Sequence, residues 1–243
     1  MGNKIFVFET IDSTNACART LGDIDTPEGA VVFADFQTNG RGRLGRMWIS
    51  EPESNLLFSV LLRPAVKAEM AGLLTLYASA AVARAIEHCV GESVECKWPN
   101  DLLLHGKKFC GILLENSFQP SGLGYAIVGV GINVNQRTLP AEITGKATSL
   151  ARETGKEYDR KQVLQAVLTE MDALYVSAGK GDFSRVVSEW TKRCLMFGKG
   201  VKVQQHDHTI EGTALRLNND GGLIISSSGG ELAVYAGDVT LVS

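Results

Sequence analysis

The sequence is short of several features that announce particular classes of protein. Its five cysteines, Cys17, Cys89, Cys96, Cys110 and Cys194, are odd in number and no two are spaced as CxxC. That argues against a disulfide framework and against a zinc site. Four of the five lie in apolar or helical stretches, where cysteine serves as a small core residue. Positive charge is not in excess: 24 Lys and Arg stand against 27 Asp and Glu, a formal net charge of −3. Nucleic-acid affinity usually rests on a broad basic surface, so no such partner is expected. No apolar run approaches membrane-spanning length, and no membrane association is expected. Met1–Glu9 is short and runs straight into polar residues, unlike a signal peptide. Repeats and long linkers are also lacking. These absences describe a soluble protein of a reducing compartment, the cytoplasm.

What is present is ordinary in bulk and specific in detail. Across 243 residues, 44% are hydrophobic and 21% charged, enough to bury a core with room for a small second domain. Lys4–Phe8 reads as a strand, and Asp12 or Ser13 caps a helix running to about Leu21. Gly29–Phe36 and Asn55–Leu62 are β-rich, and Glu69–Cys89 is the longest clear helix. Glu92–Lys97, Leu102–Leu104, Phe109–Asn116 and Gly124–Asn133 read as further strands, with a tight turn at His105–Gly106. Arg160–Val176 and Asp182–Leu195 supply two helices. Strands and helices do not alternate regularly. The expectation is therefore an α+β fold, a mixed and largely antiparallel sheet with helices on one face. From Gly198 the texture becomes short strands joined by Gly, Asn and Asp turns, the mark of a small β-barrel. We expect domains over residues 1–197 and 198–243.

The densest chemistry lies in Gly40–Trp48, which holds three glycines and three arginines in the seven residues from 40 to 46. Glycines let backbone amides converge on an anion, and arginine forks bind carboxylate or phosphate through paired hydrogen bonds. Trp48 adds an aromatic surface. Solvated loops and RNA-contacting segments share this composition, but those that clamp RNA usually repeat in a basic chain. Lys97-Trp98-Pro99-Asn100-Asp101 forms a second cluster, equally readable as a strand exit with a buried tryptophan. Lys107 and Lys108 open the following strand. Alternation sends one of them to a given face and leaves the other in solvent. Gly129 and Gly131, before Asn133, mark either a bulge or the close approach of another group. Ser13-Thr14-Asn15 is a helix cap that can also face a polar ligand.

Taken in order, these segments resemble the catalytic domain of the biotin–protein ligases. The family's Gly/Arg run appears as Gly40–Trp48, its KWPND as Lys97–Asp101, and its lysine-led strand as Lys108–Glu115. Its GxGIN is Gly129–Asn133, and Asp12–Asn15 and Gln37 also match. With the C-terminal strands the resemblance covers essentially the whole chain. It implies a class II synthetase-like sheet followed by an SH3-like barrel. It also implies an ATP-dependent ligase that makes biotinyl-5'-AMP and passes biotin to a lysine of a biotin carboxyl carrier protein.

The resemblance further implies roles. Ser13, Thr14, Asn15 and Gln37 would bond the ureido ring of biotin, with Gly111 also on the biotin side. Arg41, Gly42, Arg43 and Lys108 would hold the carboxylate and the adenylate phosphate. Trp48, Arg46, Asn100 and Asn133 would lie on the nucleotide side, and Asp101 would orient or deprotonate the acceptor lysine. Lys108, Arg43 and Asp101 form the expected catalytic set. No dedicated metal ligands are expected, Mg²⁺ entering on the ATP phosphates. The ligase motifs begin by residue 12, so no N-terminal DNA-binding domain is expected, and the assembly is a monomer or homodimer. The last strand ends in Val242 where the family often has an arginine, and Arg216 is a possible substitute. Two alternatives stand beside this reading: a lipoate- or octanoate–protein ligase of related fold, and a non-catalytic biotin-binding module.

Overall fold

The computed structural model describes residues 1–120, 122–205 and 208–242. Strand β1 (Lys4–Ile11) pairs in parallel with β2 (Ala30–Gln37). A parallel pair needs a crossover, here helix α1 (Thr14–Asp23). Ser13 caps α1, its hydroxyl accepting from the Ala16 amide. Strand β3 (Leu56–Leu62), helix α2 (Leu73–Val90) and strands β4 (Glu95–Lys97), β5 (Asp101–Leu104), β6 (Lys107–Gln119) and β7 (Gly122–Ile132) follow. The seven strands run β1-β2-β3-β7-β6-β5-β4, antiparallel throughout beyond the β1–β2 pair. The mixed, largely antiparallel sheet expected from the sequence is the one observed.

Every residue of β3 (LLFSVLL) is buried, so both faces of the sheet are covered there. On one face Leu56, Phe58, Val60 and Leu62 join the main core with α2, α4 (Arg160–Ala178) and α5 (Ser184–Thr191), which follow the five-residue helix α3 (Leu150–Thr154). On the other face Leu61 packs with Ala18 of α1, Ala30, Val32, Tyr125 and Ile127 in a smaller cluster. Helices α2, α4 and α5 thus share one face, while α1 covers only part of the opposite one. What α1 leaves open is where the candidate site lies.

Two helix boundaries differ from expectation, and one helix was not expected, for visible reasons. Helix α2 begins at Leu73 because Gly72 separates it from a single 3₁₀ turn at Ala68–Met70. The last main-domain helix stops at Thr191, and the Arg193 carbonyl turns aside to accept from the Cys96 amide of β4. Helix α3 is too short to leave a periodic signal. One absence also needs amending. Ala68–Val90, with a mean hydropathy of 1.2, is long and apolar enough to cross a membrane by composition. Because 67% of its most apolar 18-residue window is buried inside the protein, its role as the central core helix accounts for that hydropathy.

Residues 200–241 form a second, wholly antiparallel sheet from β8 (Gly200–Gln205), β9 (His208–Leu217), β10 (Leu223–Ser227), β11 (Gly230–Val234) and β12 (Asp238–Leu241). Its order is β11-β10-β9-β8-β12. Val201, Val203, Ala214, Leu223, Ile225, Val234 and Val239 are continuous with the main core. The Trp98 indole donates to the Gly221 carbonyl at 3.1 Å, fixing the KWPND turn to this sheet.

A compact ion-pair network ties the helical layer together. Arg84 reaches Glu170 at 2.6 Å and Glu189 at 3.2 Å, and Arg193 reaches Glu87 at 2.6 Å and Glu189 at 3.0 Å. The hydrogen bond from Lys192 is the largest influence on Glu189. With those from Arg193 and Arg84 it outweighs burial and holds the carboxyl at about 2, below its ordinary 4.5. A depressed carboxyl stabilises the fold above its unfolded value and loses that contribution as pH falls through the folded one. Thermal stability is therefore expected to drop between roughly pH 4.5 and 2. Glu189→Ala should cost about 1–3 kcal/mol at neutral pH and flatten that acid limb. Denaturation curves at pH 7 and pH 3 check both.

Candidate active site

The open part of the sheet face is floored by glycine. Gly111 of β6 sits opposite Gly131 of β7, and Gly129 lies two residues earlier on the same face. A Cβ at Gly131 would stand 2.6 Å from the Trp48 ring, one at Gly111 3.0 Å from it, and one at Gly129 2.0 Å from Asn15 Oδ1. The alternative of a simple bulge fails here: β6 and β7 keep regular register through these positions, and their first irregularity comes at Ser117/Phe118. The glycines admit a tryptophan and an asparagine against bare backbone. The cavity above them has a volume of about 140 Å³.

One end of this cavity is polar and rigid. The Gln37 side-chain oxygen Oε1 accepts from the Thr14 amide at 2.7 Å and from its hydroxyl at 3.0 Å. Ser59 donates to Thr14 Oγ1 at 2.8 Å, with its Oγ also 2.6 Å from Asn15 Oδ1. Asn15 in turn donates to the Leu113 carbonyl at 3.3 Å. Ser13, Thr14 and Asn15 are all buried at the start of α1. This end presents neutral donors and acceptors in fixed positions, suited to an uncharged amide-like or urea-like group.

The other end is cationic. Residues 40–48 fold as a narrow loop: the Gly42 amide donates to the Arg46 carbonyl at 2.7 Å and the Trp48 amide to the Gly40 carbonyl at 2.9 Å. Leu44 and Gly45 at the tip both adopt positive φ, 57° and 73°. The three arginines are not equivalent. Arg41 meets Glu115 at 3.5 Å, and Arg46 pairs with Asp238 of β12. Arg43 donates only to neutral oxygens, Asn100 Oδ1 at 3.0 Å and the Gly237 carbonyl at 3.5 Å. Burial lowers its affinity for its proton, against the pull of Asp238 and Asp101. A guanidinium remains charged at neutral pH even so. Among the described residues, Arg43 is therefore the loop arginine without a carboxylate partner.

Lys108 also lines the cavity, with its Nζ 2.6 Å from Asp101 Oδ1 and 5.8 Å from the Trp48 ring centre. Asn100 holds its place by donating to the Ile112 carbonyl at 2.9 Å and accepting from the Ile112 amide at the same distance. Of the residues expected in the site, Ser13, Thr14, Asn15, Gln37, Arg41, Gly42, Arg43, Arg46, Trp48, Asn100, Asp101, Lys108 and Gly111 all line this one cavity. Asn133 does not. It is buried beside the floor, donating to the Thr148 carbonyl at 3.0 Å. Lys107 is turned away, as alternation requires, but is ion-paired with Glu153 at 3.2 Å rather than idle in solvent.

Arg216 is a correction. It forms a two-bond pair with Glu231 at 3.1 and 2.7 Å on the exposed side of the small sheet, and does not line the cavity. The small sheet instead reaches the site through Asp238 and the Gly237 carbonyl. Ser59 was also missed, although a lone hydroxyl inside the apolar run LLFSVLL is a signal that could have found it. Asp238 left no such signal.

Residues 7–133 match the Biotin/lipoate A/B protein ligase family, and residues 196–242 match the Biotin protein ligase C terminal domain. The bifunctional ligase/repressor BirA of Bacillus spizizenii is 34% identical over 243 residues, 99% of this chain and 75% of that protein. The biotin--[acetyl-CoA-carboxylase] ligase of Mycobacterium tuberculosis is 32% identical over 234 residues, 93% of this chain and 85% of that one. The structure of biotin protein ligase from Aquifex aeolicus in complex with biotin and ATP superposes with a TM-score of 0.83 at 34% identity, covering 99% of each chain.

Gly131→Ala should lift Trp48 from its bed, because a Cβ there would stand 2.6 Å from the indole. Fluorescence should gain a red-shifted component that a Trp48→Phe, Gly131→Ala double variant lacks. An unchanged spectrum would show that the ring does not rest on this glycine.

Proposed function

The chain belongs to the biotin/lipoate A/B protein ligase family, and from that premise we propose that it joins biotin to ATP as biotinyl-5'-AMP and then to a lysine of a biotin carboxyl carrier protein. The observation that carries the choice of ligand is the polarity of the cavity. One end offers fixed neutral groups, Gln37, Thr14 and Asn15, and the other offers Arg43 and Lys108. Biotin has the same order, a neutral ureido ring at one end and a carboxylate at the other. Lipoate has a dithiolane ring that cannot hydrogen-bond in this way, so the polar end favours biotin.

The mechanism follows from the charges. Carboxylate and α-phosphate repel each other, and bringing them together requires positive charge fixed in advance. Arg43 from the loop and Lys108 from β6 supply it. Mg²⁺ is assigned to the phosphates of the ATP substrate. The biotin carboxylate oxygen attacks the α-phosphorus and pyrophosphate leaves. In the resting site Lys108 is paired with Asp101. An anion arriving between Arg43 and Lys108 competes for that lysine, which leaves the Asp101 carboxylate free to accept from the incoming amine. The acceptor lysine then attacks the acyl carbon and AMP departs. Holding the reactants in line contributes on the order of 7–11 kcal/mol. Trp48 and Arg46 lie on the nucleotide side of the cavity, while Asn133, bonded to Thr148, braces the segment behind it. The cysteines take no part, and burial pushes the thiols of Cys96 and Cys110 far up, away from nucleophilic thiolate.

Biotin-dependent exchange of labelled pyrophosphate into ATP tests the reading directly. Exchange with lipoate and none with biotin would overturn it. Lys108→Ala should lower biotin-dependent exchange at least about 100-fold with the fold intact, and Lys107→Ala should have the smaller effect. Arg43→Gly should release biotinyl-adenylate faster, as followed by trapping the free adenylate with hydroxylamine. Unchanged release would show that the loop holds the anion by other means.

A further inference from the structure

The arrangement that fixes Lys108 extends beyond the cavity, and its centre is Glu153. Lys108 is the second residue of β6, close to an end where a strand would be free to fray. Instead the segment after residue 145 bonds both of its backbone groups along that edge. The Lys108 amide donates to the Lys146 carbonyl at 2.9 Å, and the Thr148 amide donates to the Lys108 carbonyl at 2.8 Å. The Thr148 carbonyl also receives the Asn133 side-chain amide at 3.0 Å. One short stretch therefore sets the backbone of Lys108 and the side chain of Asn133 together.

That stretch is pinned by one carboxylate. Glu153 of α3 accepts from the Thr148 hydroxyl at 2.6 Å and from Lys107 Nζ at 3.2 Å, while His105 Nδ1 stands 2.9 Å from its other oxygen. Its side chain is 12% exposed. Burial acts to raise it, but the bonds from Thr148, His105 and Lys107 prevail and hold it at about 2. It is ionised throughout the neutral range. His105 and Lys107 both precede Lys108, at the β5–β6 turn and the first residue of β6, so Glu153 holds the approach to Lys108 while Thr148 holds its backbone. Glu92 also faces His105, at 3.6 Å.

We propose that Glu153 is a positioning residue for the ligase reaction, holding Lys108 at the anion through Lys107 and Thr148. The inference rests on the ligase reading above. Lys107, turned away from the cavity, is then the outer anchor of its neighbour. A misplacement of the order of 1 Å in a group that aligns reactants costs about 100-fold in rate, so loosening this clasp should be felt in the chemical step more than in the capture of biotin.

Glu153→Ala should lower kcat for biotin-dependent pyrophosphate exchange about 10- to 100-fold. Biotin binding by titration calorimetry should change less than about threefold, because the ureido end is untouched. Glu153→Gln keeps an acceptor for Thr148 and should recover much of the rate. Thr148→Val removes one hydroxyl from the clasp at nearly constant volume and serves if Glu153→Ala folds poorly. It should lower kcat in the same sense with biotin binding retained. Full exchange by well-folded Glu153→Ala and Thr148→Val proteins would overturn the proposal. So would equal losses in the Ala and Gln variants that track the fraction unfolded. Absence of exchange in the unsubstituted protein would overturn the ligase reading, and this inference with it.

Discussion

The site depends on the absence of side chains at three positions of a β-sheet. Without a Cβ at residues 111, 129 and 131, Asn15 and Trp48 come down onto the strands themselves, and the start of α1 and the loop of residues 40–48 are drawn to the same patch. Most of what is chemical in the cavity is mounted on those two segments or on β5, the turn before it and β6, with Gln37 of β2 and Asp238 of β12 completing it. The opposite face of the same strands is packed under α2, α4 and α5. Rigidity on one side and vacancy on the other are two aspects of one alternation, in which Ile112, Val128 and Val130 point into the core and the glycines do not.

Charge is distributed over this floor with economy. Of the cations near the cavity, Arg41 and Arg46 are already matched to carboxylates, and these pairs shape the loop. Arg43 is satisfied only by neutral oxygens, and Lys108 by a carboxylate that has another use. A half-buried guanidinium facing neutral groups has more to gain from an incoming anion than one already paired. The difference between structural and functional arginine is thus set by what lies opposite each one, not by residue type.

The dense motifs were legible in the sequence because their chemistry is local. Three arginines among three glycines, or Asn-Asp after a proline, constrain a ligand wherever the chain folds. The sheet was legible too, from runs such as Leu56–Leu62. Contacts that cross the chain were not. Nothing near Asp238 says that it will meet Arg46, and nothing near Arg216 says that Glu231 will claim it. The side on which α1 packs was also hidden, since amphipathic spacing identifies an apolar stripe without saying which face of a sheet receives it. Asn133 shows the limit of motif reading. It belongs to a segment that lines the cavity, yet its own side chain is spent on Thr148 behind the wall.

The contacts between the two sheets bear on how such a chain can be taken apart. Asp238 closes the cavity against Arg46, the Gly221 carbonyl holds Trp98, and Val201, Ala214 and Leu223 are set in the same core as α2. A chimera that borrowed residues 198–242 from a relative would import one wall of the cavity along with a fold-stabilising surface. Unless Arg46, Trp98 and their partners travelled together, the graft would be folded and mismatched. The small sheet is heritable only with the loop it touches.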